Sequence, residues 1–153
     1  MVDLRGGLRA LPGRGPSAAC SLLFVYGSLR AGIAGPAHHL LRGRADYLDG
    51  GMCQGRLYDL GDYPGLMPSA DPGDRVVGEI YALRAARPAL ARLDRYEGRD
   101  YRRELGAVDS RRFGRLQAWL YYYAGALAAA PRIASGDYLA HLRRRAAGAG
   151  AVS

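Results

Sequence analysis

The chain contains three glutamates, and one of them lies where a proton-transfer group is expected. Glu97 stands between Tyr96 and Gly98 at the predicted end of a helix. A carboxyl group in such a place can be partly withdrawn from water and still reach a ligand, as a general acid or base must. The same position also suits a capping or loop role, so position alone leaves both interpretations open.

The other two glutamates have weaker patterns for chemistry. Glu104 follows two arginines on a predicted strand, which is typical of a surface ion pair. Glu79 shares one face of a predicted strand with Val77 and Tyr81. Strand alternation does not decide whether that face is buried or exposed, so the role of Glu79 stays open.

A second candidate for chemistry is the tetrad Tyr26-Gly27-Ser28-Leu29, which follows an apolar run. Backbone N–H groups of a glycine-containing turn after a strand can converge on an anion such as a carboxylate. Gly27 would allow a close approach of the ligand to the backbone. The alternative is an ordinary turn in which Ser28 caps a helix.

Strands and short helices must position these candidates. Strands are predicted over residues 22–26, 45–60, 76–83, 101–108 and 116–123, the second being two bent segments or one bulged strand. Short helices are predicted over residues 37–41 and 138–147, and a third has Pro88 in its first turn and ends near residues 96–98. Gly114 favours a hairpin between the last two strands, and residues 61–73 are predicted to form a loop. Such a chain is α+β, and its sheet is expected to curl into a small mixed β-barrel with a few peripheral helices.

Length and composition indicate one domain. The 153 residues are 49% hydrophobic, enough for a core. We expect a flexible tail over residues 1–20, a compact domain over 21–145 and a frayed C-terminus over 146–153. No apolar run is long enough to cross a membrane and residues 1–17 lack the layout of a secretory signal, so we predict no membrane partner and a cytoplasmic location.

The basic residues exclude several reaction classes. All 22 are arginine, and the net charge is +8. Without lysine, the chain cannot use a lysine Schiff base, attach pyridoxal phosphate or build a phosphate-binding loop around a lysine. An RNA-binding barrel is one alternative function, but the arginines are dispersed apart from residues 143–145, so we predict a solvated basic surface and no nucleic-acid partner.

Neither the cysteines nor the histidines favour a metal site. Cys20 and Cys53 are 33 positions apart, which predicts two free thiols. His38 and His39 are adjacent, so their side chains diverge on a strand and on a helix alike, and they are poorly placed to chelate one ion. We predict no metal.

Five sequence blocks, in order, make the chain resemble the gamma-glutamylcyclotransferase-like family, which has an AIG2-like domain. They are the strand with Tyr26-Gly27-Ser28-Leu29, Gly55-Arg56-Leu57-Tyr58-Asp59-Leu60-Gly61 with Tyr63-Pro64, Val77-Gly78-Glu79-Ile80-Tyr81, Leu93-Asp94-Arg95-Tyr96-Glu97-Gly98 with Tyr101, and Ala118-Trp119-Leu120-Tyr121. The resemblance covers residues 22–142. One departure is Ala37 before His38, where family members often carry Asn.

The resemblance implies a compact mixed β-barrel and a small-molecule γ-glutamyl substrate. It places Glu97 as the catalytic acid/base and Tyr26, Gly27, Ser28 and Leu29 at the substrate. The implied activity is release of 5-oxoproline from a γ-glutamyl amine or peptide, and it uses neither metal nor organic cofactor.

The chemistry of a γ-glutamyl compound is compatible with this interpretation. Its α-amine and γ-carbonyl belong to one molecule, so ring closure brings nucleophile and electrophile together without a nucleophile from the protein. A non-catalytic small-molecule binder on the same barrel remains an alternative. We predict a monomer because no long amphipathic helix is left over.

Overall fold

The structure is a computed structural model that describes residues 20–27, 29–30 and 40–151, with only the backbone for residues 149–151. Five of its strands are β1 Leu22–Val25, β2 Ala45–Gln54, β5 Arg75–Leu83, β6 Tyr101–Ser110 and β7 Gly114–Tyr123. They form a closed barrel in the order β1-β5-β2-β6-β7. The predicted α+β fold with a small β-barrel is therefore confirmed.

The barrel is mixed because one of its strand contacts is parallel. β1 meets β7 in parallel, with Leu23 opposite Trp119, and the other neighbouring barrel strands are antiparallel. β6 and β7 form the predicted hairpin, which ends at the pair Ser110 and Gly114. Gly114 has a φ of 75°, a conformation that glycine adopts without strain.

Two further strands among the described residues lie outside the barrel, and one of them corrects a prediction. β3 Arg56–Asp59 pairs with β4 Pro64–Met67. Residues 61–73 were expected to be a loop, yet β4 lies among them and its Leu66 is fully buried. Proline at the first position of an edge strand needs no ladder hydrogen bond, so Pro64 starts β4 although it reads as a loop residue.

In the described part of the chain, two α-helices lie outside the barrel. α1 is Ala86–Glu97 and buries Ala89, Leu90 and Leu93, as the apolar spacing predicted. α2 is Tyr138–Ala151, so it runs four residues past the predicted end at residue 147. Alanine is the strongest helix former, which explains why the glycines there do not stop the helix. The helix predicted over residues 37–41 lies mostly outside the described residues.

The core has two parts that share strand β1. Phe24 packs with Ile80, Val108 and Leu120 in the first hydrophobic cluster. Leu23 and Val25 pack in the second cluster, with Leu90 and Leu93 of α1 among the other members. Because both faces of β1 are buried, its sequence is continuously apolar rather than alternating.

A backbone hydrogen bond at Gly98 ends helix α1. Gly98 has a φ of 72°, and its N–H donates to the carbonyl oxygen of Asp94. A 3-10 turn over Gly98–Asp100 then leads directly into β6. This tight connection places Glu97, the last residue of α1, beside the start of a barrel strand. Among the described residues, no helix has the length and apolar character needed to cross a membrane.

Candidate active site

A cavity of about 290 Å³ lies where the end of β1 meets the end of α1. Four of the five predicted site residues line it: Tyr26, Gly27, Leu29 and Glu97. The fifth, Ser28, lies outside the described residues. The fold therefore brings the described part of the turn and the Glu97 carboxyl to one cavity, although they are about 70 positions apart in sequence.

Glu97 is partly buried, and no hydrogen bond or ion pair joins its side chain to another residue within the described part of the chain. Burial raises the pKa of Glu97 from 4.5 to about 7, and the negative charge of Asp94 adds to the rise. A carboxyl group with this pKa is present in both protonation states near neutral pH. It can therefore accept a proton and donate one in the same reaction cycle.

The Tyr26 hydroxyl forms two hydrogen bonds, one to barrel strand β7 and one to β4. It donates to the main-chain oxygen of Tyr121 at 2.6 Å and accepts from the N–H of Leu66 at 3.3 Å. Burial, followed by nearby acidic side chains that include Glu97, raises the pKa of Tyr26 well above its usual value. Tyr26 is therefore a neutral, rigid part of the cavity wall.

The turn after Tyr26 is compact, and Gly27 has a steric reason to be glycine. The N–H of Arg30 donates to the carbonyl oxygen of Gly27 at 2.9 Å, which closes the turn. A Cβ atom on Gly27 would lie 2.8 Å from Cγ of Pro64. The close approach that Gly27 permits in this structure is thus to the Pro64 ring at the start of β4.

Aromatic side chains form much of the remaining wall. Tyr101 donates from its hydroxyl to the carbonyl oxygen of Pro64 at 2.7 Å and meets Tyr63 edge to face at 6.1 Å between ring centres. Tyr96 and Tyr121 also line the cavity. The residue patterns did not assign these tyrosines to the site, although several stand in the sequence blocks that carry the family resemblance.

Asp94 lies one helical turn before Glu97 and has three strong polar contacts. Arg103 contacts both of its oxygens, from Nε at 2.8 Å and from a terminal nitrogen at 3.1 Å, and the Tyr121 hydroxyl donates to Oδ1 at 2.6 Å. Burial alone would raise the pKa of Asp94, but the hydrogen bonds from Arg103 and Tyr121 outweigh it and lower the pKa. This network was missed because its members lie on α1, β6 and β7.

The other glutamates lie outside this cavity. Glu79 accepts a hydrogen bond from the Tyr81 hydroxyl at 2.9 Å and lies 3.6 Å from Nε of Arg30, with 14% of its side chain exposed. The question left open for Glu79 is thereby answered, since its carboxyl belongs to a buried polar cluster. Glu104 forms an ion pair with Arg102 on the surface, as predicted.

Comparison with known proteins agrees with the sequence resemblance. A family model described as gamma-glutamyl cyclotransferase, AIG2-like, matches residues 23–140. The chain is 37% identical over 120 residues to the gamma-glutamylcyclotransferase family protein YtfP of Escherichia coli K12, covering 76% of this chain and 95% of that protein.

Solved structures show the same fold. The solution structure of ytfP from Escherichia coli has a TM-score of 0.57 and 33% identity, over 77% of this chain and 96% of that one. An AIG2-like protein from Mus musculus has a TM-score of 0.61 at 24% identity, over 73% of this chain and 84% of that one, and supports the fold alone. From the family match and the identity to YtfP, the chain belongs to the gamma-glutamyl cyclotransferase, AIG2-like family.

Proposed function

We propose that this protein is an enzyme that releases 5-oxoproline from a γ-glutamyl amine or peptide, with Glu97 as the general acid/base. One observation carries the proposal. The Glu97 carboxyl, which has no polar side-chain partner in the described part of the chain, lines the same cavity as Tyr26, Gly27 and Leu29. Membership of the family supports a gamma-glutamylcyclotransferase-like protein, and a small molecule is the class of substrate that the family suggests.

The proposed reaction begins with the substrate α-ammonium group, which loses one proton to solvent and becomes a neutral amine. The amine nitrogen attacks the γ-carbonyl carbon, and the Glu97 carboxylate accepts the second proton as the new C–N bond forms. Glu97 then donates this proton to the leaving nitrogen while the original amide bond breaks. A neutral amine and 5-oxoproline leave, and Glu97 is again a carboxylate.

The turn is proposed to hold the substrate. Backbone N–H groups of Gly27, Ser28 and Leu29 would bind the α-carboxylate and the developing oxyanion, because such groups need no reorganisation during the reaction. Tyr26 would form the pocket wall. Its hydroxyl already donates to Tyr121 and accepts from Leu66, which supports a positioning role for the ring rather than a proton-transfer role.

The size of the cavity suits a small ligand. A volume of about 290 Å³ lies at the lower end of the range for small-molecule pockets. The glutamyl unit would fill the part next to the turn, and the leaving amine would extend toward the tyrosine-lined mouth. The scheme uses neither metal nor organic cofactor, and we expect a cytoplasmic monomer, for which size-exclusion chromatography tests the oligomeric state.

A panel of γ-glutamyl compounds tests the proposal, with 5-oxoproline measured by mass spectrometry. The panel holds γ-glutamyl amino acids, a γ-glutamyl-lysine isopeptide and glutathione. We expect release from at least one compound by the wild type and none above background by Glu97→Gln. Glu104→Gln is the matched control, since it makes the same change in an exposed ion pair.

Two results would contradict the proposal. Wild-type protein that binds γ-glutamyl compounds without releasing 5-oxoproline would be a non-catalytic binder. Wild-type activity that survives Glu97→Gln would leave the reaction in place and remove Glu97 from it. An RNA-binding role is tested separately by a salt titration, because binding that depends on phosphate neutralisation weakens steeply with salt.

A further inference from the structure

We infer that Asp94, held by Arg103 and Tyr121, is a positioning residue that orients Glu97 and controls its charge. The inference rests on the proposed function, since it assigns a role in that reaction. Asp94, Arg103 and Tyr121 lie on three elements of the fold, α1, β6 and β7, and act on Glu97 without touching the reacting atoms.

Asp94 and Glu97 are coupled through the last turn of α1. Residues three apart on a helix lie on the same face, so the two carboxyl groups are neighbours. The carbonyl oxygen of Asp94 also accepts the N–H of Gly98, the hydrogen bond that ends α1 next to Glu97. A displacement of Asp94 would therefore move both the backbone and the electrostatic surroundings of Glu97.

The carboxylate of Asp94 is held from two strands. Arg103 of β6 binds both oxygens with its planar guanidinium, a geometry that fixes direction as well as charge. The guanidinium in turn lies over the ring of Trp119 with its central carbon 4.3 Å from the ring centre. The Trp119 indole N–H donates to the carbonyl oxygen of Cys20 at 3.3 Å, so the arginine packs on an anchored ring.

Tyr121 joins the two sides of the cavity. Its hydroxyl donates to Asp94 on the Glu97 side, and its main-chain oxygen accepts the hydroxyl of Tyr26 on the turn side. A single residue of β7 thus contacts the helix that carries Glu97 and the tyrosine that begins the turn. This arrangement fixes the distance between the proton-transfer group and the substrate-binding turn.

Among the charges around Glu97, the Asp94–Arg103 pair is the one that can set the protonation state of Glu97. The titratable groups that face the cavity or act on Glu97 come from α1, the 3-10 turn, the barrel strands and the residues just after β1 and just before β4: Asp94, Tyr96, Asp100, Tyr101, Tyr121, Tyr26 and Tyr63. Asp94 is the carboxylate whose charge raises the pKa of Glu97, and an arginine neutralises it. The two partners must therefore act on Glu97 with opposite signs.

The test is whether substitutions of Asp94 and of Arg103 shift the titration of Glu97 in opposite directions. Asp94→Asn removes a negative charge, so Glu97 should lose its proton at a pH lower by about half to one unit. Arg103→Gln leaves the Asp94 charge uncompensated and should move the titration upward by a similar amount. Carbon NMR of the glutamate carboxyl groups measures this without any substrate, and Glu97→Gln identifies the Glu97 signal among the three glutamates.

Arg102→Gln is the matched control, because it removes the same charge from the neighbouring position of β6, where the arginine pairs with exposed Glu104. It should leave the Glu97 titration within about 0.2 units. If Arg103→Gln fails to fold, Arg103→Lys keeps the charge, loses the two-point contact and should give a smaller upward shift. Shifts of the same sign in the Asp94 and Arg103 variants, or none beyond that of Arg102→Gln, would overturn the inference.

The rate profile separates this inference from the proposed function. If 5-oxoproline is released, the low-pH limb of kcat against pH should move to lower pH in Asp94→Asn and to higher pH in Arg103→Gln, as the NMR titration does. A purely structural role would lower activity in both variants without moving the limb in opposite directions. If no compound is turned over, the proposed function fails, and the NMR titration still decides whether Asp94 and Arg103 control the charge of Glu97.

Discussion

Glu79 and Glu97 are both largely withdrawn from water, but their carboxyl groups have different surroundings. Glu79 has the Arg30 guanidinium at 3.6 Å and the Tyr81 hydroxyl at 2.9 Å, and Arg30 also binds Asp137. Glu97 has no such partner among the residues described, and the charge that adds to the rise of its pKa is that of Asp94, which has the same sign.

This difference suggests that the region of Glu79 stabilises the fold and the region of Glu97 exchanges protons. A buried carboxylate that lies beside a guanidinium and accepts a hydroxyl hydrogen bond contributes to structure. A carboxyl group that burial leaves unpaired has its pKa raised and is ready to exchange protons. The exposed Glu104 provides a third case, in which solvent weakens any role of the charge.

The largest expected effect is on catalysis at Glu97. Glu97→Gln keeps the shape of the side chain and removes proton exchange, so kcat for 5-oxoproline release should fall by at least about 100-fold. Steady-state kinetics on the best compound of the panel measures it. Circular dichroism should show an unchanged fold, and a kcat within about threefold of the wild type would contradict the assigned role.

The next effect is on stability at Glu79. Glu79→Gln should lower the free energy of unfolding by about 2–3 kcal/mol, because it removes one of the two carboxylates that lie against the buried Arg30 guanidinium. Urea denaturation at pH 7 measures the loss, and kcat should change by less than about threefold. A variant of normal stability that has lost its activity would show that the two regions are not divided in this way.

A smaller effect is the pH dependence of stability that Glu97 causes. Its folded pKa of about 7 lies above the usual 4.5, so the folded state binds the proton more tightly than the unfolded state. The stabilisation from this group is fully present below pH 4.5 and is lost as the pH rises through 7. Glu97→Gln stays neutral and should gain about 2 kcal/mol relative to wild type between pH 5 and pH 7.

Urea denaturation of both proteins at the two pH values measures this difference. A difference that stays constant with pH would mean that Glu97 has an ordinary pKa. The contrast with the paired Glu79 would then disappear.

The smallest effect is expected at Glu104. Glu104→Gln removes one side of an exposed ion pair, and such pairs contribute little, so stability should change by about 0.5 kcal/mol or less. Urea denaturation and the 5-oxoproline assay should both resemble the wild type. A large loss in either would show that exposure does not separate the three glutamates.

The architecture was largely predictable because its strands carry local signals. The apolar run of β1 and the hairpin around Gly114 follow from residue type and spacing, and the structure confirms both. β4 was missed because it is four residues long, begins with Pro64 and continues with Gly65. Its pairing with β3 and the burial of Leu66 form the strand, and neither is a local property.

The candidate site was also predictable only in part. Glu97 and the turn from Tyr26 stand out by residue type, neighbours and resemblance to the family, and their chemical roles stay predictions. The contacts of Asp94 with Arg103 and Tyr121 had no counterpart in the sequence reasoning. Arginines are frequent in this chain, so no pattern indicates which of the 22 lies next to a given carboxylate.

The sequence by itself determined the fold class, the apolar strand that precedes the turn and the end of α1 at Gly98, because these depend on the conformational preferences of neighbouring residues. Only the tertiary structure decided which carboxyl groups acquire charged partners. Closure of the barrel brings β6 and β7 against α1 and supplies Asp94 with Arg103, while Glu97 faces the cavity beside Tyr26. A pKa depends on burial and on charges a few ångströms away, and the fold sets both.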